Sequence, residues 1–199
     1  MCLYICFINT NVSPLSQKVN RVNKMKQKEE NVSAMSNEMR STWAKEHITN
    51  AAIELLKLKP IEKISISELS DHAGTGRATF YRNYKDITDI FRQYLTKLNK
   101  EWISTVSYDK GGLKELVYII FSHFEKYHDF YALLNERGLI YILKDVIFTS
   151  LHYSTEGPAA VVYSQSFVFY MLYGWIETWF SRGMKETPEE MSAVFPEKI

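Results

Sequence analysis

Arg77, Thr79, Tyr81, Arg82 and Lys85 lie close together in the segment GTGRATFYRNYKD, residues 74–86. Guanidinium and ammonium groups suit phosphate oxygens, and Arg77 can also read a guanine edge. Thr79 can meet a thymine methyl or a phosphate. The Tyr81 hydroxyl can donate to a backbone oxygen while its ring packs on the turn. A buried helix would show an apolar stripe, and a solvated one would seldom carry two tyrosines and a phenylalanine. The composition suits a surface that touches something polar and flat.

These side chains need elements to hold them, and the flanking sequence supplies candidates. Ile48, Ala51, Ala52, Leu55 and Leu56 recur at helical spacing, with Ser41 or Thr42 able to cap the start. Pro60 closes this first helix, because the residue before a proline avoids the helical region. Ser65-Ile-Ser-Glu68 reads as a capping box opening a second helix, with Ile66, Leu69 and Ala73 on one face. Gly74 stands where a helix ends in a left-handed residue, and the next helix starts within about two residues. That is the spacing of a helix-turn-helix, whose second helix can enter the major groove. Arg77 and Ala78 fall in its first turn, where backbone amides also favour phosphate. Asp86 then caps a long fourth helix that buries Ile87, Ile90, Phe91, Tyr94, Leu95, Leu98 and Trp102.

Composition narrows the classes. The 199-residue chain has a net charge of only +1, unlike a histone-like binder. Residues 1–100 nevertheless carry 16 Lys/Arg against 10 Asp/Glu, and residues 101–199 carry 8 against 13, so the first half is the anion-binding one. Cys2 and Cys6 are too close to staple a fold and have no second pair for zinc, which fits a reducing cytosol. MCLYICFI lacks a basic leader, and no apolar run approaches the roughly 20 residues that span a bilayer. A soluble cytoplasmic protein without a membrane partner is expected. Residues 1–40, with Lys18, Arg21, Lys24, Lys26 and Lys28, read as a disordered arm able to track DNA, or as an overextended start before Met25 or Met35. Residues 41–86 are then the DNA-binding domain and 87–199 a helical connector and ligand-binding or dimerisation domain.

The stretches ITNAAIELL, ISISELSDHAG and RATFYRNYKD resemble the TetR family of bacterial transcriptional regulators, from about Thr42 to Tyr94. The resemblance implies an all-α protein: a three-helix DNA-binding domain followed by a helical domain, acting as a homodimer that represses until a ligand binds. By position, Thr79, Tyr81, Asn83 and Tyr84 match the family's threonine, tyrosine, histidine and aromatic of the recognition helix, and Arg77 matches a position that is often basic. The DNA-facing set is completed by Lys45, Ser67, Thr75, Gly76, Ala78, Arg82 and Lys85. Two positions depart from the pattern. Gly76 replaces the usual serine cap, so that Thr75 caps instead or the cap is weak, and Ile87 replaces a lysine that would meet phosphate, a role left to Lys85.

The second half reads as helical throughout. Leu113, Leu116, Val117, Ile120, Phe121 and Phe124 form one stripe. Helices follow around Phe130–Leu134 and from Leu139, and the longest, over about 159–182, is apolar nearly all round and therefore buried or shared with a partner. Gly183 ends it, and Thr187-Pro188-Glu189-Glu190 opens a last helix. The resemblance implies that two late helices of each subunit form a four-helix interface, and MLYGWIETWFSRGMKETPEEM is similar to C-terminal regions of one branch of the family. Phe121, Phe124, Tyr127, Tyr131, Tyr141, Phe169, Tyr170, Tyr173 and Trp175 are candidates to line a pocket for a small hydrophobic or aromatic effector, or else ordinary core. No catalytic, cofactor or metal motif is present: there is no HExxH, phosphate loop or nucleophile elbow, and His123 and His128 lack a helical metal spacing. The expectation is a ligand-responsive DNA-binding repressor. The rival is an adaptor that keeps the fold and binds protein, and it would have a neutralised recognition helix.

Overall fold

The computed structural model describes residues 23–105, 112–150 and 154–196, with side chains from residue 37 onward. The chain falls into two units, Met1–Ser41 and Thr42–Ile199. Among the described residues there are nine α-helices and no strand.

In the first unit only the leading part of α1 (Asn23–Leu58) is described. This corrects the expected cap: α1 runs through Ser41 and Thr42, which do not cap it, and residues 23–40 lie within the helix. The stretch has no glycine or proline and is rich in Lys, Glu and Met, which lose little freedom in a helix. It also lacks an apolar stripe, so periodicity did not reveal it. Cys2, Cys6, Lys18 and Arg21 lie outside the described residues.

In the second unit, α1 buries Ile48, Ala51, Ala52, Leu55 and Leu56. It ends where the Lys59 amide closes on the Leu55 carbonyl at 3.0 Å, ahead of Pro60. After a 3-10 turn at Ile61–Lys63 comes α2 (Ile66–His72). The Ser65 hydroxyl accepts from the Glu68 amide at 3.2 Å, as a capping residue should. The other half of the expected capping box is absent, because both Glu68 carboxylate oxygens accept from Lys59 Nζ at 2.6 Å. A charge-assisted contact is stronger than one to a neutral amide, and it holds the Glu68 carboxyl below its ordinary pKa. The turn after α2 is a Schellman motif: Gly74, at φ 62°, donates to Asp71, and Thr75 donates to Ser70. Then come α3 (Arg77–Asn83) and α4 (Ile87–Thr105), whose start is capped by Asp86 Oδ1 accepting from the Asp89 amide at 2.8 Å.

The later helices are α5 (Gly112–Lys126), α6 (His128–Glu136), α7 (Tyr141–Ser150), α8 (Ala159–Ser181) and α9 (Pro188–Val194). α5 packs on α9 and α6, and α4 packs on α7. The buried residues of α1–α3 and of the later helices form one core, running from Ile48 through Phe80, Phe91 and Phe121 to Phe195. Gly183 takes φ 82° after α8, and Thr187 and Glu190 form a complete capping box with Pro188 at the first helical position.

α8 departs from expectation in two ways. At 23 residues it is shorter than α1 at 36, so it is not the longest helix. It is also long and apolar enough, by length and composition alone, to cross a bilayer, although no apolar run of that kind was expected. It buries Ile176, Trp179 and Phe180 near its end and exposes Val161, Tyr163, Phe167 and Tyr170.

Candidate nucleic-acid interface

α3 is only seven residues long, too short to be stable by itself. It is held by Phe80, which is fully buried, and by Tyr84 just beyond its end, which is 4% exposed. The two rings lie 5.8 Å apart. Of the two directions open to Tyr84 from sequence, core or DNA, its ring takes the core. Its hydroxyl donates to the Lys45 carbonyl at 3.4 Å and lies 3.4 Å from Thr49 Oγ1. Burial raises its pKa, which keeps the hydroxyl protonated as a donor.

With those anchors inward, Gly76, Arg77, Ala78, Tyr81, Arg82 and Lys85 are exposed, and Thr79 and Asn83 are half-buried. Arg77 and Tyr81 share a helical face, four residues apart. Tyr81 is 63% exposed, its ring edge-on to Phe80 at 5.4 Å. Arg82 Nη2 donates to Thr79 Oγ1 at 3.0 Å, so these two groups present a joined cation and hydroxyl. Asn83 Nδ2 donates to the Thr79 carbonyl at 2.7 Å, and Gln93 of α4 donates to the Asn83 carbonyl at 2.9 Å. Among the described residues no ion pair engages the side chains of Arg77 or Lys85. They are cations without an internal carboxylate, as an anion-facing surface requires.

The remaining candidates divide. Lys45 and Ser67 are exposed, but Lys45 sits in the interior of α1 because that helix starts early, so no helix-end dipole assists it. Thr75 does not cap α3: its hydroxyl is buried without a hydrogen-bond partner, and Gly76 offers no side chain, which leaves a weak cap. Ile87 packs against the core, and the neighbouring Lys85 is the exposed cation there. Two residues not singled out from sequence stand on α1: Trp43, half-exposed, stacks on His47 at 3.9 Å. Their four-residue spacing was the available signal.

The candidate pocket residues fall into separate groups rather than one. Phe121, Phe124 and Tyr131 are buried, with Trp179 and Phe180, in a set of edge-to-face rings 4.8–5.6 Å apart across the α5–α6 and α5–α8 contacts. Tyr127 borders that set through His123 at 5.3 Å. Phe169, Tyr170 and Tyr173 surround Phe148 of α7 instead, with Lys144 Nζ 5.3 Å from the Tyr173 ring. Trp175 packs on Phe195 at 5.0 Å, and Tyr141 is exposed.

His123 has a consequence that can be measured. It lies between Trp102, Phe124, Tyr127 and Tyr131, with Nε2 3.0 Å from the Tyr131 hydroxyl. Burial, helped by Lys126, lowers its pKa from 6.5 to about 4. The folded protein holds this ring neutral, so its contribution to stability is present above pH 6.5 and is lost as pH falls toward about 4. The thermal midpoint should fall across that window, and the fall should be shallower in His123→Gln.

Residues 48–94 match the family described as bacterial regulatory proteins, tetR family. That match runs from Ile48 in α1 to Tyr94 in α4 and contains all of α2, the turn after it and α3. Among solved structures, the chain is similar to the fatty acid degradation regulator FadR from Bacillus halodurans, with a TM-score of 0.47 and 16% identity over 75% of this chain and 90% of that one.

Proposed function

We propose, for a chain whose residues 48–94 make it a member of the tetR family of bacterial regulatory proteins, that it is a ligand-responsive repressor binding a palindromic operator as a homodimer. The observation that carries this reading is the two-sided build of α3: Phe80 and neighbouring Tyr84 are buried while Arg77, Tyr81, Arg82 and Lys85 are exposed. A short helix reads few base pairs, so useful specificity calls for two copies about one DNA turn apart. The exposed Tyr163 and Phe167 of α8, four residues apart on one face, supply an apolar surface for a second copy. Residues 41–86 would bind DNA, and 87–199 would dimerise and take a small hydrophobic or aromatic effector. The effector would release DNA by binding unequally to two dimer geometries. Such a regulator works in the cytoplasm, beside bacterial DNA, and needs no catalysis.

A random-sequence selection with the full chain tests this reading. Enrichment of a palindrome with half-sites about one turn apart is expected, with a dimer in sedimentation. Phe167→Asp should shift the protein toward monomer and weaken binding to the recovered duplex. No enrichment, or a lone half-site bound by a monomer, would contradict the proposal.

A further inference from the structure

The turn that ends α6 reaches the C-termini of two other helices. Arg137, the C-cap of α6, donates from Nε to the Leu56 carbonyl at 2.9 Å and from Nη2 to the Lys57 carbonyl at 2.7 Å. Asn135, two residues earlier, donates from Nδ2 to the Phe180 carbonyl at 3.2 Å, in the last turn of α8. Gly138, at φ 69°, lets the chain reverse behind them, with the Leu139 amide returning to the Leu134 carbonyl at 2.8 Å.

The Arg137 contact has a local chemical reason. The last carbonyls of a helix lack donors from within it. The residue four beyond Leu56 is Pro60, which has no N–H to give. The proline that stops α1 thus leaves an acceptor open, and a guanidinium from 81 residues away fills it. A cation also suits the negative end of the α1 dipole. The Arg137 side chain is 23% exposed, and its Nη1 lies 3.9 Å from Glu136, a loose pair that does not compete with the carbonyls.

The end of α1 continues directly into the DNA-binding segment. Lys59 holds Glu68 of α2, and Leu56 shares a core with Leu69 and Phe80. We infer that Asn135 and Arg137 form the joint between α8 and the DNA-binding segment, so that Arg137 is a positioning residue for the spacing between recognition helices. This rests on the dimeric operator-binding reading above. In such a dimer, the distance between the two α3 helices is only as definite as the attachment of each DNA-binding segment to the dimer-forming helix. The α6 turn hydrogen-bonds to both ends.

The test compares three duplexes by fluorescence anisotropy: the palindrome recovered by selection, and versions with one base pair added or removed between the half-sites. Each step changes both rotation and distance, and the wild type should bind the altered duplexes at least about tenfold more weakly. Arg137→Ala should narrow that ratio to about threefold or less, with Arg137→Lys, which keeps the charge and a donor, in between. A merely structural role would weaken all three duplexes alike and leave the ratio unchanged. An unchanged ratio in folded, dimeric Arg137→Ala overturns the inference. Should that variant fail to fold, Asn135→Ala must narrow the ratio, and an unchanged ratio there overturns it equally. A wild-type protein that binds none of the three would instead overturn the operator-binding reading.

Discussion

Arg77→Ala is expected to weaken binding to the recovered operator by about 1–3 kcal/mol at each half-site, roughly five- to 150-fold per half-site. The protein should keep its dimer and its thermal midpoint. Arg77 is exposed in the first turn of α3, and no ion pair engages its guanidinium among the described residues. Surface substitutions of this kind usually change stability by no more than about 0.5 kcal/mol, so a large loss of affinity has to come from DNA. The pattern of loss tells which atoms Arg77 meets. A guanine contact gives relaxed specificity at one position of each half-site. A phosphate contact gives a uniform loss and a shallower salt dependence. Tyr81→Ala should act in the same direction, since that ring is 63% exposed and its T-shaped pairing with Phe80 is at 5.4 Å. Unchanged binding by both variants would remove α3 from the interface.

Phe80→Ala is expected to destabilise the protein by about 3–5 kcal/mol, as measured by chemical denaturation. The ring is fully buried, meets Tyr81 and Tyr84 at 5.4 and 5.8 Å, and belongs to the core shared with α1 and α2. A loss of that size is a large part of the roughly 5–15 kcal/mol that holds an ordinary domain folded. A helix of seven residues cannot compensate through its own hydrogen bonds. Operator binding should therefore fail together with the fold of α3, the opposite of the Arg77 result, in which affinity falls and stability stays. A loss below about 1 kcal/mol would mean that Phe80 does not anchor the helix.

What could be read from the sequence was what neighbouring residues decide among themselves. Ser65, Gly74, Asp86, Gly183 and Thr187 mark helix boundaries through contacts a few residues long, and the structure has each at such a boundary. The interface cations were visible because Arg77, Arg82 and Lys85 lie on so short a segment. What escaped depends on partners distant in sequence or on the direction of a side chain. Glu68 leaves its local box for Lys59, nine residues away, and Arg137 finds the end of α1. Tyr84 and the Thr75 hydroxyl turn inward although their positions alone allowed either direction. The helix over residues 23–40 rests on propensity without a stripe, so periodicity passed over it. The aromatic candidates show the same limit. Helical spacing gave a face to each of Phe121, Phe169 and Trp175, but not the fact that these faces meet different neighbours.

The most direct measurement is anisotropy-monitored binding of the full chain to the recovered palindrome and to a scrambled duplex of the same composition, at two salt concentrations. Selective binding should persist at the higher salt, with the palindrome bound at least about a thousandfold more tightly than the scramble. Weak binding that is equal for both duplexes and erased by salt would leave only phosphate attraction at α3, and would contradict sequence-specific regulation by this protein.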